Sequence, residues 1–100
     1  MSLYAILGRD HVDSLERRRL ARPAHLQRIQ PLVDAGRIVL AGPFPAIDAE
    51  DPVAAGFTGS LIVAEFESLE EARRWAEADP YVTEGVFAEL DVRPFRQVLP

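Results

Sequence analysis

Leu3, Ala5 and Leu7 alternate with Tyr4, Ile6 and Gly8 near the start of the chain, and neither set is polar. A period of two with both faces apolar predicts a strand over Leu3–Gly8 that is covered on both sides. Arg9–Asp13 is a polar connector, after which Asp13 or Ser14 can cap a helix beginning at Leu15, with Glu16 in its first turn. Pro23 cannot continue a helix without losing a backbone hydrogen bond but suits the first turn of a new one. The pattern therefore predicts a short helical segment over Leu15–Ala21 and a main helix over Pro23–Ala35, stopped by Gly36. Leu26, Ile29, Leu32 and Val33 mark its buried stripe, with His25 at the edge of that stripe.

Arg37–Phe44 reads as a second strand, with Ile38, Leu40 and Gly42 on one face and Val39 and Ala41 on the other. A long connector follows over Ala46–Gly59; its Phe57, between two glycines, is expected to fold back onto the body of the protein. Ser60–Phe66 is a third strand. Ser68 and Glu71 form a capping box for a second helix, which carries Leu69, Ala72, Trp75 and Ala76 on one side. Asp79-Pro80 pairs an N-cap residue with Pro at the first helical position, which predicts a short turn over Pro80–Glu84 ended by Gly85. Val86–Phe95 is the last strand, with Val86, Ala88, Leu90 and Val92 on one face and a mixed face containing Phe87; Pro94 places its end at an edge or a bulge.

The order strand, helix, strand, strand, helix, strand is the split β-α-β pattern of ferredoxin-like domains. It predicts an α+β fold, a four-stranded antiparallel sheet with two helices on one face, as one domain over residues 1–100. The other sheet face would be bare. Yet the first three strands carry apolar residues on both faces, including Tyr4, Ile6, Val39 and Ala41. A bare face that apolar exceeds the few hundred Å² a monomer normally shows. The pattern thus predicts a homodimer packed sheet against sheet, a dimeric α+β barrel.

Composition narrows the function classes. A chain of 100 residues buries a modest share of its surface, and small domains often gain stability by oligomerising. It has no Cys, hence no thiolate chemistry and no Cys-based zinc site. This usage fits a cytoplasmic protein. No basic leader precedes the first strand, and no apolar run approaches the roughly 20 residues that span a bilayer, so no membrane role is expected. A net charge of −5 argues against a nucleic-acid partner. Arg17-Arg18-Arg19 is the one basic run and reads as a solvated helix face.

His25 carries the main chemical expectation. In the first turn of a helix starting at Pro23, the positive end of the dipole favours neutral imidazole, which can act as a base near neutral pH. Asp79 is in the first instance an N-cap, but its carboxylate can also orient His25, because the two helices pack side by side in this fold. His11 reads as a solvated loop histidine. Asp10, His11 and Asp13 match no metal-ligand spacing, so no metal is expected. Ser60 and Tyr81 offer hydroxyls near element ends; no nucleophile elbow surrounds Ser60, and Gly56-Phe57-Thr58-Gly59 lacks the Lys of a phosphate loop.

Taken together, Asp13-Ser14-Leu15-Glu16, Arg22-Pro23-Ala24-His25-Leu26, Ala41-Gly42-Pro43, Gly56-Phe57-Thr58-Gly59-Ser60, Glu65-Phe66, Ala78-Asp79-Pro80-Tyr81 and Pro94-Phe95 resemble the YciI-like proteins, in the right order and over essentially the whole chain. The resemblance implies a ferredoxin-like fold, a dimeric α+β barrel and an active site built on His25 and Asp79. Arg22, Ser60 and Tyr81 fall at neighbouring motif positions and are the implied substrate-binding residues. Relatives in the wider superfamily resemble muconolactone isomerases and dehydrochlorinases. They imply a cofactor-free enzyme that moves a proton in an elimination or isomerisation of a small polar or cyclic molecule. The competing expectation is a non-catalytic small-ligand binding or accessory protein, in which His25 and Asp79 merely tie two helices together.

Overall fold

The computed structural model describes residues 1–51 and 53–100; Pro52, inside the predicted 46–59 connector, lies outside the described residues. The elements run β1 (Ser2–Asp10), α1 (Leu15–Asp34), β2 (Ile38–Pro45), β3 (Phe57–Phe66), α2 (Leu69–Glu77), α3 (Pro80–Thr83) and β4 (Phe87–Phe95). The strands form one antiparallel sheet in the order β2-β3-β1-β4. This is the ferredoxin-like arrangement that the order of elements predicts. The core fills one sheet face: Tyr4, Ile6, Ile62, Ala64, Phe66 and Val92 pack under Ile29 and Leu32 of α1 and Ala72 and Ala76 of α2. Among the described residues, no helix is long and apolar enough to cross a membrane.

Local signals account for the helix starts on the second half of the chain. The Ser68 hydroxyl accepts from the Glu71 backbone N–H at 3.1 Å, and Asp79 accepts from the Tyr81 N–H at 2.8 Å with Pro80 at the first helical position. Pro94 sits on the edge strand β4, opposite Tyr4, where its missing N–H costs no ladder bond.

Helix α1 departs from expectation. It is continuous from Leu15 to Asp34 and runs through both Pro23 and Pro31. A proline in a helix interior costs about 3 kcal/mol, so contacts elsewhere must hold the segment before it. They do: Ser14, Arg18, Ala21, His25, Ile29 and Leu32 are all buried and follow one helical stripe on both sides of Pro23. Ala21 packs with Tyr81 and Val86. His25 therefore lies about three turns into the helix and not in its first turn, so the dipole argument does not apply to it. Leu26 and Val33, expected in the buried stripe, are 44% and 48% exposed because the true stripe passes one position to the side.

Two bulges explain the other differences. Ile38 pairs with Ala64 but Leu40 pairs with Val63, so Val39 is an extra residue and the strand changes face there. Leu40 and Gly42 consequently lie opposite Ile38, and Ala41 shares the helix-covered face with Ile62. Tyr4 and Ile6 also lie on the covered face, so the open face carries apolar Leu3, Ala5, Leu7, Leu61, Val63, Leu40 and Phe44 beside charged Glu65, Asp91 and Arg93. The second bulge, at Arg9/Asp10 against β4, puts Phe87 over Gly8, where a Cβ would lie 2.3 Å from the ring. Gly8 is thus a close-approach glycine. Strand β3 begins at Phe57 and not at Ser60, and the Ala46 N–H closes the base of the loop by donating to the Gly56 carbonyl at 3.0 Å.

Candidate active site

The cap of α3 and the buried stripe of α1 converge at one point. The Asp79 carboxylate caps α3 through Oδ1, and the same oxygen lies 2.7 Å from His25 Nδ1. Both side chains are buried, 10% and 5% exposed. A carboxylate accepts only, so Nδ1 is the nitrogen that donates and carries the hydrogen, and in the neutral imidazole Nε2 is then the nitrogen with the lone pair. Asp79 Oδ2 accepts from Arg28 Nη1 at 3.2 Å. Arg28 is itself held by the Trp75 carbonyl at 2.8 Å and lies 4.6 Å over the Trp75 ring. The imidazole plane is fixed from one side by Tyr81, stacked at 3.8 Å between centroids and 6° between planes.

The middle arginine of the basic run is not solvated. Arg17 and Arg19 are exposed, but Arg18 is 5% exposed and forms a buried ion pair with Asp10. Its Nε donates to Asp10 Oδ2 at 2.6 Å and its Nη2 to Asp10 Oδ1 at 2.9 Å. Nη2 also reaches the Gly59 carbonyl at 2.8 Å and Ser60 Oγ at 2.9 Å. Ser14, at the N-cap of α1, makes no capping bond; its hydroxyl donates to Asp10 Oδ2 at 2.5 Å. The guanidinium is surrounded by Tyr81, Phe57 and Phe87 at 5.0, 5.2 and 5.9 Å. The signal for this cluster was spacing: Arg18 lies three residues before Ala21 and seven before His25, which continues the stripe backwards. Phe57 does fold back, onto Arg18.

A cavity of about 640 Å³ opens between α1 and the β2–β3 side of the sheet, lined by Arg18, Arg22, His25, Phe57, Ser60 and Tyr81 together with apolar side chains that include Leu26, Ile29 and Ile62. The structure thus brings His25, Arg22, Ser60 and Tyr81 to one cavity. Asp79 stands behind His25 and does not line it. Arg18 is paired with Asp10 and Arg19 with Glu16, whereas Arg22 makes no ion pair among the described residues. His11 is exposed and lies outside the site.

Burial pushes the Tyr81 phenol up from its ordinary value, against the opposing pull of Arg18 and Arg22, while the Asp79 charge adds to the rise. The folded protein therefore holds this proton more tightly than the unfolded chain. Its contribution to stability is complete below the ordinary value of 10.0 and is lost as pH rises through the folded value. Denaturant melts above that pH are expected to show wild-type stability falling more steeply than that of Tyr81→Phe; parallel pH curves would contradict this.

Residues 2–96 match the family described as YCII-related domain. Protein YciI from Escherichia coli is 58% identical over 96 residues, covering 96% of this chain and 98% of that protein. An uncharacterized protein from Haemophilus influenzae is 47% identical over 95 residues, covering 95% and 97%. Among solved structures, 5-chloro-2-hydroxyhydroquinone dehydrochlorinase from Burkholderia phenoliruptrix, in complex with 2,5-dihydroxybenzoquinone, matches with a TM-score of 0.82 and 30% identity, covering 94% of this chain and 93% of that one.

Proposed function

The chain belongs to the YCII-related domain family, and from that premise we propose that it is a cofactor-free enzyme in which His25 moves a proton in an elimination or isomerisation of a small cyclic, oxygenated substrate. The observation that carries the reading is the His25–Asp79 contact at 2.7 Å beside a cavity that His25 itself lines. Nε2 takes a proton from a substrate O–H or C–H. The bonding pair stays on the substrate and is delocalised over its ring. Either a leaving anion then departs with its own pair, or the proton returns at another carbon. Asp79 fixes the tautomer and offsets the charge of the imidazolium that forms. Arg22, which makes no ion pair among the described residues, is the contact for an anionic substituent, and Ser60 and Tyr81 position the ring.

The dehydrochlorinase similarity supports this reaction class. The first assay is therefore chloride release from 5-chloro-2-hydroxyhydroquinone by wild type and His25→Asn. Turnover by wild type that His25→Asn retains would overturn the role of His25. The second reading, a ligand-binding or accessory protein, is favoured by the way His25, Asp79 and Arg28 tie α1 to α2 and α3. In that case His25→Ala loses several degrees of melting temperature, and no proton-transfer substrate is turned over.

The same reading includes a homodimer of the α+β barrel type. On the open sheet face Leu40 and Phe44 are 47% and 42% exposed beside half-buried Leu3, Ala5, Leu7 and Leu61. A second copy laid sheet against sheet covers this strip. Light scattering at micromolar concentration is expected to give twice the 11.1 kDa chain mass, and Leu40→Glu with Phe44→Glu to lower it. A wild-type monomer would sink the dimer.

A further inference from the structure

Arg18 has one nitrogen left over. Its Nε and Nη2 are committed to Asp10, the Gly59 carbonyl and Ser60 Oγ. The guanidinium also shares a hydrogen bond with the Tyr81 phenol, but Nη1 carries two N–H groups, and among the described residues neither is taken by a carboxylate, a carbonyl or Ser60. Yet no buried side-chain nitrogen or oxygen among the described residues is without a partner. Nη1 is therefore not sealed in the protein. Arg18 lines the cavity, and Nη1 is the nitrogen of its guanidinium that is left to face that space. The Arg18 side chain is otherwise buried, 6% exposed.

Ser60 completes the arrangement. Its oxygen accepts from Arg18, so its own hydroxyl hydrogen is free to point into the same cavity. The floor of the cavity on the sheet side thus carries guanidinium and hydroxyl donors. The helix wall carries His25, whose Nδ1 is taken by Asp79 and whose Nε2 is the nitrogen left for the cavity. The aromatic ring of Phe57 and the bidentate hold of Asp10 leave the guanidinium little freedom to turn away.

We propose that Arg18 Nη1 and Ser60 Oγ form an oxyanion subsite, which binds the enolate or phenolate oxygen that appears when His25 removes a proton. It rests on the reading of His25 as the base and adds to it a second, separate contact. When the substrate O–H or C–H bond breaks, the proton goes to Nε2 and the electron pair becomes negative charge on a ring oxygen. Donors already aimed at that oxygen stabilise the charge without reorganising. The subsite takes a planar ring with two oxygen functions, one placed to lose a proton at His25 and one to receive charge at the sheet. Its donors are hydrogen bonds to an ionised group, which are roughly twice as strong as neutral ones.

Isothermal titration with 2,5-dihydroxybenzoquinone tests this, because that compound is a vinylogous acid and carries its charge on ring oxygens. Wild type is expected to bind it saturably, Ser60→Ala about 10-fold more weakly, and Arg18→Met combined with Asp10→Asn about 100-fold more weakly. The double change avoids leaving a bare buried carboxylate; should it still fail to fold, Ser60→Ala decides. His25→Asn is expected to bind within about threefold of wild type, since a base is needed for turnover and not for holding the anion. Ser60→Ala binding like wild type, or a wild type that binds no anion, overturns the subsite. Loss of turnover in His25→Asn alongside unchanged binding in Ser60→Ala would leave the base in place and remove only the subsite. Turnover retained in His25→Asn would remove the base whatever Ser60 does.

Discussion

Arg18→Ala is expected to lower stability by about 3–5 kcal/mol, the usual cost of removing one partner of a buried ion pair. For a chain of 100 residues this is a fall in melting temperature on the order of 15–30 °C. The reason is the carboxylate left behind. The Asp10 side chain is 1% exposed, and without the guanidinium only the Ser14 hydroxyl among the described residues bonds its charge. The pair itself adds little net stability, because each ion was desolvated to form it. Arg18→Met combined with Asp10→Asn should consequently recover much of the loss, even though it removes the same four Arg18 hydrogen bonds as the single change. Arg17→Ala and Arg19→Ala, one residue to either side, should melt like wild type. Thermal melts by circular dichroism of the four variants check the pattern. Arg18→Ala melting within a few degrees of wild type would mean that water reaches Asp10 and the pair is not a buried one.

The same arginine shows where local reading of a sequence stops. Three consecutive arginines look like one solvated patch, yet consecutive residues on a helix point about 100° apart, and only Arg18 continues the line through Ala21, His25 and Ile29. Pro23 misleads in the opposite way. Its helix-breaking tendency is real, but it is a local term of about 3 kcal/mol, and the buried contacts of Arg18 and Ala21 before it outweigh that term. Where local chemistry meets no competing contact, it is a sound guide: the Ser68 capping box, the Asp79-Pro80 helix start and the edge position of Pro94 form as their residue types require. Strand faces in β2 and at the start of β4 were not legible. A bulge inserts one residue without changing composition, and each insertion reverses the face of the residues beyond it, as it does for Leu40 and Phe87. The contact between His25 and Asp79 spans 54 positions. No spacing rule reaches across that distance; it arises because α1 and α3 pack together above the sheet, and because the cap aims the carboxylate.

That cap also makes the decisive experiment clean. His25→Asn is expected to reduce turnover about 10²–10⁴-fold, the range in which a positioned acid or base contributes. Asp79→Asn should reduce it less, because the base remains. Asn is as good an N-cap as Asp, so its side-chain oxygen can still accept from the Tyr81 N–H and from His25 Nδ1, which preserves α3 and the tautomer. What is lost is the negative charge that offsets the imidazolium, together with the bond from Arg28, whose N–H now meets an amide N–H. The loss should therefore appear in kcat more than in KM, since the charge matters only once the proton has moved. Melting temperature should change little beside that of Asp79→Ala, which forfeits the cap as well. An Asp79→Asn enzyme with wild-type kcat, beside a His25→Asn enzyme that is inactive, would show that His25 works without its carboxylate and that Asp79 serves the fold alone. Wild-type kcat in both would remove the pair from the chemistry.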